Sequence, residues 1–275
     1  MKKLKLYVLD NGKMWQDDSL LVAGSRLGTA DNKNPPVNWS DIPIHTFLIQ
    51  HPDGYILFDT SCHPKGMTER WPEFQRKQSP YVVPEEGLLI NRLAQLKVRP
   101  ADIRYVVVSH LHVDHGGCLE FFTNSEIIVS DSEFTKTMRQ YVMNEDLGVH
   151  MPLDIKEWIN ARLKWKPVET SEKQVELLEG VTILNLGPGH SWGMLGLLVE
   201  LGNTGNVILA SDAIYTKENA GPPIRLPGIM YDSIGYGDTI KYLTSLAKKR
   251  DAQIWCGHDR VQFAGLIKST EGFYD

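Results

Sequence analysis

Apolar positions along this chain follow two spacings, and the switch between them maps its elements. Short runs dense in Leu, Ile and Val, bounded by turn residues, read as strands, whereas apolar residues three and four apart read as one face of a helix. By the first pattern residues 3–10 (KLKLYVLD), 44–50 (IHTFLIQ) and 55–60 (YILFDT) are strands, and the HPDG between the last two is a turn that closes an antiparallel hairpin. By the second, Leu88, Leu89, Leu93 and Leu96 place an apolar stripe on a helix through residues 85–98, after which IRYVVVS at 103–109 is a buried strand. Between them, residues 63–84 carry Pro64, Gly66, Pro72, Pro80 and Pro84 with Trp71, Phe74 and Tyr81, and read as a long ordered loop over a site.

Downstream, a short helix follows Gly116-Gly117, EIIVS at 126–130 is a strand, and residues 133–143 and 154–164 are helical, placed to cap the site. The second half repeats the logic. Residues 181–187, 194–201 and 206–213 are strands, 238–250 a helix, 252–257 a strand and 261–269 a closing helix. No short-period repeat, low-complexity tract or linker interrupts the order. Two halves, each with a meander of strands and flanking helices, predict a single α/β domain over residues 1–275: two sheets face to face with helices outside, a four-layer αββα sandwich.

Composition narrows the function classes. With 275 residues, 42% apolar and 23% charged, the chain is an ordinary globular protein and disorder is excluded. The formal charge is −5, and AKKR at 247–250 suits an exposed helix C-terminus, so a nucleic-acid partner is disfavoured. The start, MKKLKLYVLDNG, has only a broken apolar run, too short for a signal-peptide core or a membrane span, so no membrane association and a cytoplasmic location are expected. Cys62, Cys118 and Cys256 are odd in number and lack CxxC spacing, which predicts buried free thiols.

The exception to an ordinary pattern is SHLHVDHGG at 109–117. His110, His112, Asp114 and His115 follow a strand and precede two glycines, and burying four such groups unpaired is costly. A bound metal removes that cost. Imidazole and carboxylate suit zinc, iron, cobalt or manganese, and the His-x-His-x-Asp-His alternation can present two pairs of donors in two directions, which suggests two metals. Further donors stand just past three other strands: His190 in LGPGHSWG, Asp212 in ILASDAIY and His258 in IWCGHDR. His45, His51, His63 and His150 stand alone and read as ordinary hydrogen-bonded histidines.

HLHVDH, GPGH, SDAIY and GHD, with FDTSCHP upstream, resemble the metallo-β-lactamase superfamily over nearly the whole chain. The resemblance implies that His110, His112 and His190 hold one metal, that Asp114, His115 and His258 hold the other, and that Asp212 bridges. It also implies that Asp59 accepts a hydrogen bond from a liganding histidine. The superfamily usually has glycine where Ser61 stands, and many hydrolytic relatives read PGHSPGH where this chain reads PGHSWGM.

YTKEN after Asp212, the HLHVDHGG motif and the terminal GHDRVQFAGLIKSTEGFYD resemble the N-acyl-homoserine lactonase, or quorum-quenching, branch. That resemblance implies opening of the lactone ring by a metal-bridging hydroxide, with Tyr215 stabilising the oxyanion and Asp114 passing a proton to the leaving alkoxide. The implied cofactors are two divalent ions, zinc by default, with iron, cobalt or manganese suiting the same donors. Met14, Trp15, Trp71, Phe74 and Trp192 are candidates for an acyl cleft. A homodimer is compatible with the pattern but not required by it.

Other readings remain open at this stage. A dinuclear hydrolase of the same fold could act on a thioester, another lactone or an organophosphate ester, and a non-catalytic sensor could keep the pocket. His115, where many true β-lactamases have Arg, argues against β-lactam hydrolysis. His112, where the di-iron branch commonly has glutamate, argues against a redox role.

Overall fold

The computed structural model describes residues 3–275. Its first sheet has seven strands in the order β4-β1-β2-β3-β5-β6-β7, formed by β1 (Lys5–Asp17), β2 (Trp39–His51), β3 (Gly54–Phe58), β4 (Tyr81–Val82), β5 (Ile103–Val107), β6 (Glu126–Ser130) and β7 (Lys164–Val168). The second has five in the order β12-β11-β10-β9-β8, from β8 (Gln174–Leu178), β9 (Val181–Gly187), β10 (Met194–Leu201), β11 (Gly205–Ser211) and β12 (Ala252–Cys256). The predicted hairpin is present: β2 and β3 pair antiparallel with His51 opposite Gly54.

The period of two along each strand decides the layers. Phe47, Ile49, Ile56, Phe58, Val107 and Ile128 of the first sheet join Ile183, Leu195, Leu197, Val199 and Leu209 of the second in one buried core. The alternate residues Leu48, Leu57, Val106 and Ile127 face outward and are covered by Leu89, Leu93, Phe122, Ile155 and Trp158. On the far side Leu184, Leu198 and Ile208 are covered by Tyr236, Ile240 and Leu243 of the helix Ser233–Arg250. The result is the expected αββα sandwich, apolar on both faces of each sheet.

Three expectations need correction. Residues 63–84 are not simply a loop: they form a helical turn at Gly66–Arg70, the helix Glu73–Gln78 and the edge strand β4, anchored by buried Trp71 against Tyr81 with ring centroids 4.7 Å apart. The helix expected through 154–164 is Pro152–Asn160, and Lys164 already belongs to β7. β7 lies at the sheet edge, where Pro167 costs no ladder hydrogen bond on the outer side. The first-half helix is the short Leu89–Gln95 preceded by a turn at Glu85–Gly87.

Candidate metal centre

Every cluster residue sits just beyond a strand, so one rim of the sandwich collects them. β5 runs into the loop of His110 to His115, closed by Gly116 N–H donating to His112 O at 2.9 Å. β9 leads to His190, β11 to Asp212 in a helical turn, and β12 to His258. The last two loops are tied together by His258 N–H donating to Tyr215 O at 2.8 Å. Two glycines make the approach possible. A Cβ on Gly117 would stand 2.5 Å from Ser61 O and 2.6 Å from His63 N, and one on Gly257 would stand 2.4 Å from Asp212 Oδ1.

All seven predicted donors are buried and converge. Donor atoms of His110, His112 and His190 lie within 4.8 Å of one another, as do those of Asp114, His115 and His258. Asp212 stands between the two sets, with Oδ2 3.3 Å from His190 Nε2 and 3.4 Å from His115 Nε2, and Oδ1 3.1 Å from His258 Nε2. A third overlapping group, His110, His115 and Asp212, joins them.

The outer contacts of the imidazoles fit a cation at the centre. Four of the five rings use Nδ1 outward, His115 toward Asp59 Oδ2 at 2.8 Å, His190 toward Ile229 O at 3.0 Å, His258 toward Pro43 O at 2.9 Å and His110 toward Ser109 Oγ at 3.0 Å, whereas His112 turns Nδ1 inward, 2.9 Å from His190 Nε2. An Nδ1–H that donates outward leaves Nε2 as a lone pair facing inward, the tautomer a metal requires. His110 Nε2, His115 Nε2 and Asp212 Oδ1 are buried atoms without a hydrogen-bond partner among the described residues. Lone pairs aimed at one another and at carboxylates make a donor set that a divalent ion fits.

Electrostatics divide the cluster. Burial, followed by neighbouring imidazoles, pushes His110 and His112 well below the ordinary histidine range, and burial lowers His190. Burial also works against charge on His115 and His258, but Asp114 and Asp212 beside them outweigh it and raise both. Asp212, despite burial, is held well below the carboxylate range by His258 and His115. Positive charge is therefore favoured at the carboxylate end of the cluster.

Residues 39–258 match the Lactamase_B family, described as the metallo-beta-lactamase superfamily. The chain belongs to that superfamily. It is 41% identical over 273 residues to the N-acyl homoserine lactonase AiiB of Agrobacterium fabrum, covering 98% of this chain and 99% of the relative. It is 30% identical to the N-acyl homoserine lactonase AiiA of Bacillus thuringiensis subsp. kurstaki, covering 94% of each. Among solved structures it superimposes with a TM-score of 0.82, at 29% identity and full coverage of both chains, on an N-acyl homoserine lactone hydrolase with N-hexanoyl-L-homoserine bound at its catalytic metal centre.

Around the metallo-beta-lactamase donor set, other residues fix the loops. Asp59 does bond His115, and it also accepts Ser109 N–H at 2.7 Å. Asp59, Ser61 and Ser211 all have positive φ, at 65°, 64° and 48°, so the chain holds strained backbone at the rim, Ser61 in the place where the superfamily usually has glycine. Glu133 escaped the sequence reading. Fully buried, it accepts Leu111 N–H at 2.9 Å, Gly193 N–H at 3.1 Å and the Ser191 hydroxyl at 2.8 Å, and it pairs with His150 Nε2 at 2.9 Å. His150 in turn stacks on Trp192 with centroids 4.2 Å apart.

The remaining histidines are mostly bonded as expected, His51 to Asp53 N–H and His63 to Arg70 and Glu120. His45 differs: its Nδ1 is unpartnered among the described residues, its ring stacks on Phe263, and burial lowers it to about 3, so it stays neutral. All three cysteines are buried free thiols.

Tyr215 is buried with its ring 5.0 Å from His190 and 5.1 Å from His258. Burial and the Asp212 charge push its phenol well above the ordinary range, so it stays a donor. Beside it, a cavity of about 30 Å³ is lined by Met14, Ile42, Asp114, His258 and others. An adjoining cleft of about 210 Å³, sharing His112, Val149 and Ile229 with it, opens past His190 and includes Trp192 and Met230. Of the acyl-cleft candidates, Met14 and Trp192 line these spaces; Trp71 is buried in a side cluster, Phe74 is 57% exposed, and Trp15 lines neither space. No helix among the described residues is long and apolar enough to cross a membrane.

Proposed function

We propose that this chain opens the lactone ring of N-acyl homoserine lactones by metal-dependent hydrolysis, releasing N-acyl homoserine. The observation that carries the reading is the full set of inward-facing imidazole and carboxylate donors in a chain 41% identical over its whole length to an N-acyl homoserine lactonase.

His110, His112 and His190 would hold one ion and Asp114, His115 and His258 the other, with Asp212 between them. Two divalent ions there supply Lewis acidity toward the lactone carbonyl and make a water nucleophilic at neutral pH. Zinc is the default ion for these imidazole and carboxylate donors, which suit iron, cobalt or manganese as well. The protein's own part is orientation and proton handling. Asp59, Ile229 O and Pro43 O fix three imidazoles, Tyr215 donates to the developing oxyanion, and Asp114 at the cavity wall takes the proton lost by the attacking water and passes it to the ring oxygen as its bond to carbon breaks.

Because donors come from strands of both sheets, we read the chain as one hydrolase domain. Its buried free thiols suit a reducing compartment such as the cytoplasm. The test is a pair of variants in a pH-indicator assay with elemental analysis: His112→Ala and Asp212→Asn should lose metal and lactone turnover together. Full activity with normal metal content in either variant would overturn the assignment.

A further inference from the structure

The small cavity over the donor cluster has a polar feature that the hydrolytic machinery does not use. Asp114, Tyr215 and His258 form one wall, and apolar side chains such as Ile42 and Ile229 form much of the rest. Three glutamines interrupt them, of which Gln78 is exposed. Gln16 on β1 and Gln75 on the helix Glu73–Gln78 both line the cavity, and each is only 4% exposed. Gln16 Nε2 and Gln75 Oε1 have no hydrogen-bond partner among the described residues.

Asn11 Nδ2 donates to Gly87 O at 2.8 Å and Asn219 Nδ2 to Leu21 O at 2.9 Å, and the one further open amide atom among the described residues, Gln140 Oε1, belongs to a residue that does not line this cavity. Buried polar atoms are normally satisfied, and a native structure that leaves some open does so where something else completes them. Here two residues from elements far apart in the chain line the same cavity, and each carries one open amide atom, a donor on Gln16 and an acceptor on Gln75.

A secondary amide is the complementary ligand, since it offers one acceptor and one donor. An N-acyl homoserine lactone carries its amide nitrogen on the ring carbon next to the lactone carbonyl. A carbonyl seated at the donor cluster therefore brings the amide to the adjoining wall. We propose that Gln16 and Gln75 recognise this amide, with the Gln16 side chain donating to the acyl oxygen and Gln75 Oε1 accepting the amide N–H. The inference rests on the lactonase reading and adds a selectivity to it: the pair prefers N-acylated amino-lactones over plain γ-lactones. About 30 Å³ holds a water molecule and not an acylated ring, so the cavity must widen to admit substrate.

The test compares N-hexanoyl homoserine lactone with an α-alkyl-γ-butyrolactone of similar length that has no amide, using metal-loaded parent, Gln16→Met and Gln75→Met. Methionine keeps the length of the side chain and removes both hydrogen-bonding groups. Each variant should lose about tenfold in kcat/KM on the acylated substrate, as expected when a polar partner in a dry site is removed. The amide-free lactone should change less than about twofold, which also reports an intact fold and metal site. Equal losses on both substrates, or no loss on either, would overturn the pair's role. A parent enzyme that opens neither lactone would overturn the lactonase reading itself, and the amide contact with it.

Discussion

The carboxylate of Glu133 accepts the backbone N–H of Leu111 at 2.9 Å, and Leu111 is the residue between His110 and His112. The same side chain reaches Ser191 and Gly193 on the loop that carries His190, so one buried group on the helix Asp131–Met143 sets the spacing of three donors. Glu133→Gln would turn an amide donor toward N–H groups that need an acceptor. Metal affinity should fall about 10- to 100-fold, the usual effect of disturbing groups that orient metal ligands. A competitive chelator titration measures it, and unchanged affinity would contradict the positioning role.

Glu133 also predicts an acid dependence. Burial raises its carboxyl, but the His150 bond and then the Leu111 N–H and Ser191 hydroxyl outweigh that and hold it below its ordinary 4.5. A carboxyl depressed in the folded state binds fewer protons there than in the unfolded chain, so its contribution is complete above the unfolded value and is lost as pH falls through the folded one. Urea midpoints of the parent, measured with chelator so that metal release does not contribute, should fall more steeply below pH ~4.5 than those of Glu133→Gln. Parallel acid slopes would remove this linkage.

Tyr215→Phe separates chemistry from metal binding. Its ring packs on His190 and His258, and phenylalanine keeps that packing while removing the donor. Both metals should remain, and lactone kcat should drop on the order of a hundredfold, as for loss of one oxyanion donor. Unchanged kcat across several acyl lengths would take Tyr215 out of the mechanism.

The donor set was legible in the sequence because chemistry and strand pattern coincide: HLHVDH follows IRYVVVS, and His190, Asp212 and His258 each follow an apolar run. The two-sided sheets were legible for a similar reason, since strands such as MLGLLVEL are apolar at successive positions and therefore covered on both faces. Glu133 was not, because its partners lie 17 to 60 residues away and nothing near it marks a buried carboxylate. Nor was β7, whose exposed lysines Lys164 and Lys166 and whose Pro167 disguise an edge strand. Residues 63–84 lack periodicity, and their helical turns are held by tertiary contacts such as Tyr81 hydroxyl donating to His63 O, which no local pattern announces.

The most direct test of the account is elemental analysis of the purified protein together with N-acyl homoserine lactone hydrolysis before chelation, after chelation and after zinc is restored. About two divalent ions per chain are expected, with loss of turnover as they are removed and its return when they are replaced. Lactone opening at an undiminished rate by metal-free protein would contradict the account.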